Sequence, residues 1–167
     1  MSLTLFVIYL NGQEIKSVIR DQLKDYLDAF YSGNEDKAVS YQYPDMFVWM
    51  KKTAAKLGTT YTVEDLKKEY SRLSSEMRNL KSQGNVEFIW TLDPIEKKAE
   101  YQNYLIYTSI TSLVVKKGYE EIKSGDVNIC ISADLGKTWK FISRGSEGTP
   151  DILRIKFPEN IVQQILK

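Results

Sequence analysis

The hydrophobic residues of this chain change their period once, near Gly84, and no other feature limits the possible folds as strongly. Before that point Ile15, Ile19, Leu23, Tyr26, Leu27 and Phe30 recur three or four positions apart. That is the stripe of a helix with one buried face. Leu66, Tyr70, Leu73, Met77 and Leu80 repeat the pattern. Beyond Gly84 the rhythm becomes alternation: Val86, Phe88, Trp90 and Leu92 interleave with Glu87, Ile89, Thr91 and Asp93. Alternation puts one apolar face on a strand. Helices gathered in one half and strands in the other predict a segregated α+β domain with an antiparallel sheet, because a parallel sheet would interleave them.

Capping and turn residues set the predicted boundaries. The first helix covers 14–31 and stops at Gly33, which suits a left-handed cap. A short helical turn over 36–40 follows, and Tyr43-Pro44 interrupts it, since the residue before proline is driven out of the helical region. Asp45 then caps a helix reaching Leu57, with Phe47, Met50, Ala54 and Leu57 inward and Gly58 as the stop. Thr62 caps the next helix, Glu64 and Asp65 place negative charge in its first turn, and Gly84 closes it. In the second half Asp93-Pro94 predicts a turn and 101–115 one long strand, with Lys116-Lys117-Gly118 turning the chain. Residues 126–132 and 138–143 predict a hairpin, 152–157 another strand, and Pro158-Glu159 the start of a short C-terminal helix carrying Ile161, Val162, Ile165 and Leu166. No repeat or linker composition divides the chain, so 14–167 is expected to be one domain.

Composition excludes several functional classes. The chain has no histidine, which removes histidine bases, Ser-His-Asp mechanisms and histidine-rich zinc sites. Its one cysteine, Cys130, lies in the apolar run Val127-Asn-Ile-Cys-Ile131 and is expected to be a buried thiol. Twenty-three basic residues balance 22 acidic ones and are spread evenly, so no basic stripe of the kind nucleic-acid binders use is present. No cofactor and no metal are expected.

Residues 3–10 (LTLFVIYL) are continuously apolar and end abruptly at Asn11-Gly12. A bilayer takes about twenty residues to span, so a membrane span is not expected here. Two readings stay open: a core strand, or the remnant of a secretion signal over 1–13. The second implies secretion or a periplasmic location in a bacterium, the first a cytoplasmic one.

One short motif is sharp. Ser132-Ala-Asp134-Leu-Gly136-Lys-Thr138-Trp139 matches the Asp-box of sialidase-like propeller hairpins. The aspartate accepts hydrogen bonds across the turn, the glycine takes a positive φ, and the tryptophan packs beneath. The box occurs once in a chain of 167 residues, too short for a propeller, so it predicts a hairpin and no glycosidase chemistry.

The opening helix, the phrase Ala29-Phe30-Tyr31-Ser32-Gly33-Asn34-Glu35-Asp36, the short helix and Tyr43-Pro44-Asp45 resemble the start of the nuclear transport factor two-like, ketosteroid-isomerase-like superfamily. Trp139-Lys-Phe141 on a late strand fits the same pattern. The resemblance covers residues 14–145 and implies a cone of N-terminal helices packed on a curved antiparallel sheet, with a pocket between them. The long helix beginning at Thr62 and the segment 150–167 depart from it. For a binding member of that superfamily, Tyr41, Tyr43, Trp49, Trp90, Tyr107 and Trp139 are the candidate pocket residues, with Tyr104 beside them. At strand and helix spacing the same aromatics also serve as core. The catalytic alternative is an isomerase or dehydratase using Asp45 as base with Tyr41 or Tyr43, although Asp45 is better explained as a helix cap. With eleven tyrosines and an exposed sheet face, homodimerisation through that face is a further expectation from the superfamily. The leading reading is a non-enzymatic domain that binds a small apolar ligand or a protein partner.

Overall fold

The computed structural model describes residues 11–82, 86–117 and 120–167, with the backbone alone described at 86–90, 117 and 120–122. The apolar run at 3–10, Gly84 and the predicted turn residue Gly118 lie outside the described residues. Four helices come first: α1 (Gly12–Ser32), α2 (Glu35–Ser40), α3 (Pro44–Lys56) and α4 (Val63–Ser82). Strands β1 (Val86–Tyr101), β2 (Tyr104–Lys117), β3 (Glu120–Ser132) and β4 (Lys140–Ser143) follow, then α5 (Thr149–Arg154) and α6 (Glu159–Leu166). The strands form one antiparallel sheet in sequence order. The architecture is the segregated α+β arrangement expected from the change of period.

Capping explains where the helices begin. Helix α1 starts two residues earlier than its stripe, because the Asn11 side chain accepts from the Gln13 and Glu14 amides while Glu14 reaches back to the Asn11 amide at 2.8 Å. It ends at Gly33 with φ 77°. At α4 the same reciprocal cap forms between Thr62 and Asp65. Helix α3 departs from expectation. Pro44 takes its first position, Tyr43 precedes it, and Asp45 falls inside the first turn, where its carboxylate accepts from the Tyr43 hydroxyl at 2.9 Å instead of capping. Leu57, expected inward, is 75% exposed. The α4 stripe is also covered only in part: Leu66 is buried, while Leu73 and Leu80 are exposed.

The strands differ from expectation at three points. Asp93-Pro94 does not turn the chain: β1 runs through it with a register shift between Leu92 and Ile95. A proline that cannot donate to the ladder is tolerated at a bulge on an edge strand, which β1 is. The turn instead lies at Gln102-Asn103, where Gln102 has φ 54° and Tyr101 pairs with Tyr104. Of the predicted strand over 152–157, residues 152–154 lie in helix α5 and 155–157 turn the chain after it. The free edge of β4 is already occupied by the segment before α3: the Phe141 amide donates to the Tyr41 carbonyl at 2.8 Å, and the Tyr43 amide to the Phe141 carbonyl at 3.1 Å.

The register sorts the sheet's two faces. Tyr107, Cys130 and Phe141 stand in one row against α1, in a cluster with Ile15, Ile19, Leu23 and Trp139. Ile106, Ile129, Ile131 and Ile142 face the other way, against Ile152, Leu153, Val162 and Ile165 of α5 and α6. The sheet face expected to be open for pairing is therefore covered around these isoleucines by the chain's own C-terminal helices. Cys130 is fully buried, and that burial pushes its thiol above the ordinary range. Among the described residues no helix is long and apolar enough to cross a membrane.

The Asp-box hairpin joins the sheet to α1. Asp134 accepts from the Thr138 amide at 2.9 Å and from the Thr138 and Ser132 hydroxyls at 2.7 Å each. Gly136 has φ 95°, and its carbonyl takes the indole N–H of the fully buried Trp139. Gln22 of α1 donates to the Lys137 carbonyl and accepts from the Trp139 amide, both at 2.9 Å. Partial burial pushes the Asp134 carboxyl upward, and the hydrogen bonds from Thr138 and Ser132 outweigh it, leaving the group below its ordinary value. A lowered carboxyl stabilises the fold above the unfolded-state value near ~4, and that contribution is lost as pH falls through the folded value. Asp134→Ala is thus expected to cost about 2–3 kcal/mol at neutral pH, with the gap from wild type narrowing below pH ~4. Urea unfolding across that range measures it, and a gap independent of pH would contradict this account of the turn.

Candidate functional site

A cavity of about 310 Å³ opens beside the β4 edge, where four helices meet the sheet. Its apolar wall comes from Met46, Trp49 and Met50 of α3 with Leu66 of α4, and its floor from Phe141 and Ile142 of β4 with Ile152 of α5. The seam between residues 41–43 and β4 sets this geometry, because it fixes where α3 leaves the sheet. Trp49 is held from behind by Gly148, which has φ 79° and no side chain: a Cβ there would lie 2.2 Å from Trp49 Cζ2.

Polar groups gather at one end. Tyr26 of α1 and Tyr70 of α4 bring their hydroxyls to 3.3 Å, and the Gln42 amide donates to Tyr26 at 2.9 Å. Gln42 is buried, and its place beside Phe141 at the seam delivers its side chain to this position. Burial pushes the phenols of Tyr26 and Tyr70 well above the ordinary value. For Tyr26 the nearby Asp126 carboxylate pushes the same way, while the bonds from Tyr70 and Gln42 oppose it. Asp126 and Asn128 of β3 complete this end: Ser143 donates to Asp126 Oδ1 at 2.8 Å, and Asn128 donates to the Thr111 hydroxyl. A second cleft under Leu27, Phe30 and Leu113 shares Tyr26, Asp126 and Asn128 with the first.

The residues singled out from the sequence are divided among several places. Trp49 lines the cavity. Tyr43 and Asp45 are brought together, but in a separate cleft with Tyr104, Lys140 and Lys156, where the Lys156 ammonium lies 5.2 Å from the Tyr104 ring centre. Burial, then the bond to Asp45, pushes the Tyr43 phenol far above its ordinary value. Tyr41 does not join them: its hydroxyl donates to Asp25 of α1, and burial together with that carboxylate pushes it up to about 12. Lys37, first, and Tyr41 hold the Asp25 carboxyl below the ordinary range. Tyr107 and Trp139 pack edge to face at 5.5 Å beneath α1, with Tyr107 also bordering a cleft beside Ile15 and Leu135. Trp90 is on β1, and its side chain lies outside those described.

Tyr26, Gln42, Tyr70, Asp126 and Asn128 were not singled out as site residues. Tyr26 and Tyr70 stand on helical stripes, where their spacing signals only burial. The one available hint was that each puts a hydroxyl where a leucine would pack. No grouping of three or more acidic or thiol side chains suited to a metal occurs among the described residues. Comparison with protein-family models, curated proteins and solved structures finds no match.

The Gly148–Trp49 contact gives a direct test of the wall. Gly148→Ala is expected to destabilise by about 2–4 kcal/mol, from the left-handed backbone and the displaced indole together. In a Trp49→Ala background only the backbone part, about 1–2 kcal/mol, should remain. Equal costs in both backgrounds, measured by urea unfolding, would show that Trp49 does not pack on residue 148.

Proposed function

We propose that this chain is a non-enzymatic binding domain whose ligand, a small and largely apolar molecule, occupies the cavity between the helices and the β4 side of the sheet. The observation that carries the reading is the composition of the lining: three apolar side chains from one helix face a few converging polar groups at one end. Small-molecule sites have this character, and at about 310 Å³ the cavity lies at the lower end of their usual range of roughly 300–1,000 Å³. The polar groups are already bonded to one another: Gln42 to Tyr26, Tyr26 to Tyr70, Ser143 to Asp126. Such mutual bonds fix their orientation before a ligand arrives, which lowers the ordering cost of binding. Met46 and Met50 add an adaptable surface that tolerates varied ligand shapes.

The likeness to the nuclear transport factor two-like superfamily points the same way, since a pocket between helices and sheet is what it implies. The alternative of an isomerase or dehydratase built on Asp45 and Tyr43 has less behind it. That carboxylate accepts the phenol's own hydrogen bond, and the pair sits in the cleft with Lys156 rather than in the cavity.

A neutral aromatic probe, 2-naphthylmethanol, tests the reading. At a hundredfold excess over its Kd, a ligand that binds only the folded state adds about 2.7 kcal/mol of stability. Wild-type protein is expected to melt several degrees higher with the probe. Met50→Trp, which fills the cavity from α3, should keep its own melting temperature and lose that shift. An unchanged shift in Met50→Trp would place binding elsewhere, and no shift in wild type would remove the support for this reading.

A further inference from the structure

The lining of the cavity has a sign as well as a shape. Among the described residues three carboxylates reach it, Glu69 from α4, Asp126 from β3 and Glu147 from the loop before α5, and no lysine or arginine lines it. The cleft around Tyr43 and Asp45 is the opposite case, with Lys140 and Lys156 in its lining. All three carboxylates are exposed at the rim, so solvent partly screens their field, and it acts most on a charge held close beside them. The burial-raised phenol of Tyr26 responds to Asp126 as well, so that carboxylate's field reaches the inner end of the cavity. The rings of Tyr26, Trp49 and Tyr70 contribute to the same lining, and aromatic faces attract cations and repel anions.

We propose that the ligand of this cavity is an organic cation, a protonated amine or quaternary ammonium on an aromatic or aliphatic body, with its charge held towards Asp126 and its body against Trp49 and Met46. The assignment rests on the reading of the cavity as the ligand site and adds the ligand's charge class to it. Asp126 is the anchor for two reasons. The Ser143 hydroxyl fixes its Oδ1 at 2.8 Å. It also stands where the cavity meets the second cleft, so a cation there can carry apolar arms in both directions. An anionic ligand of the same shape would meet three carboxylates and no compensating base among the described lining residues.

Three near-isosteric probes separate charge from shape: 2-naphthylmethylamine, 2-naphthylmethanol and 2-naphthoate, titrated calorimetrically into the full chain at pH 7. The amine is expected to bind at least about tenfold more tightly than the alcohol, and the naphthoate most weakly. Added salt should weaken the amine and leave the alcohol unchanged. Asp126→Asn keeps an oxygen that accepts from Ser143, so the fold is retained. It should remove most of the amine's advantage over the alcohol. An alcohol that binds as tightly as the amine, or a naphthoate that binds most tightly, overturns the charge assignment while leaving the cavity as a ligand site. An amine preference undiminished in Asp126→Asn overturns the anchoring role. Failure of all three probes to bind overturns both this inference and the reading on which it rests.

Discussion

The structure depends on a short seam between its two halves. Residues 41–43 lie along the free edge of β4, held by two main-chain hydrogen bonds on either side of Phe141. An unpaired strand edge exposes donors and acceptors that need partners, and here the connection between α2 and α3 supplies them. The three residues of the seam then go to three different places. Tyr41 packs beside the cluster under α1, Tyr43 joins the cluster under α5 and α6, and Gln42 delivers its amide to the cavity. With that edge taken, the chain beyond β4 does not pair beside it. It turns at Gly148 into α5 and folds back over the outer sheet face.

The Asp-box hairpin supports that seam from the other side. Trp139 and Phe141 belong to the same strand-entry segment and the same cluster, and Gln22 ties the hairpin's backbone to α1. Helix α1 therefore has a fixed height over the sheet, which brings Tyr26 within reach of Tyr70 and Gln42. The cavity follows from three attachments: α1 at the hairpin, α3 at the seam, and α4 lying across α1 and α2 with its Tyr26–Tyr70 contact.

Features carried by neighbouring residues were legible in the sequence. The Asp-box turn, the Gly33 stop, the Thr62 cap and the change from helical to strand period are each specified within a few positions, and each is present. The misreadings have different physical causes, some local and some set by packing between elements. Asp45 became the acceptor for Tyr43 once Pro44 had taken the first helical position. Asp93-Pro94 stayed in a strand because β1 is an edge. Residues 152–154 lie in α5 instead, and the β4 edge is paired with residues 41–43. Leu57, Leu73 and Leu80 complete apolar stripes but are exposed among the described residues. The candidate site was less legible still. Aromatic content pointed to Trp49, which lines the cavity, but Tyr26, Gln42, Tyr70 and Asp126 come from two helices, the seam and a strand, and only their shared packing brings them together.

The claim at the centre of this account is that the concavity beside the seam, rather than the cleft at Tyr43 and Asp45, receives the ligand. Amide and indole chemical shifts of the isotopically labelled chain, followed during addition of 2-naphthylmethylamine, test it most directly. The account predicts that the largest shifts fall on the Trp49 indole N–H, the Gln42 side-chain amide and the backbone amides of Asp126 and Asn128. Shifts concentrated instead at Tyr104, Lys140 and Lys156 would contradict it.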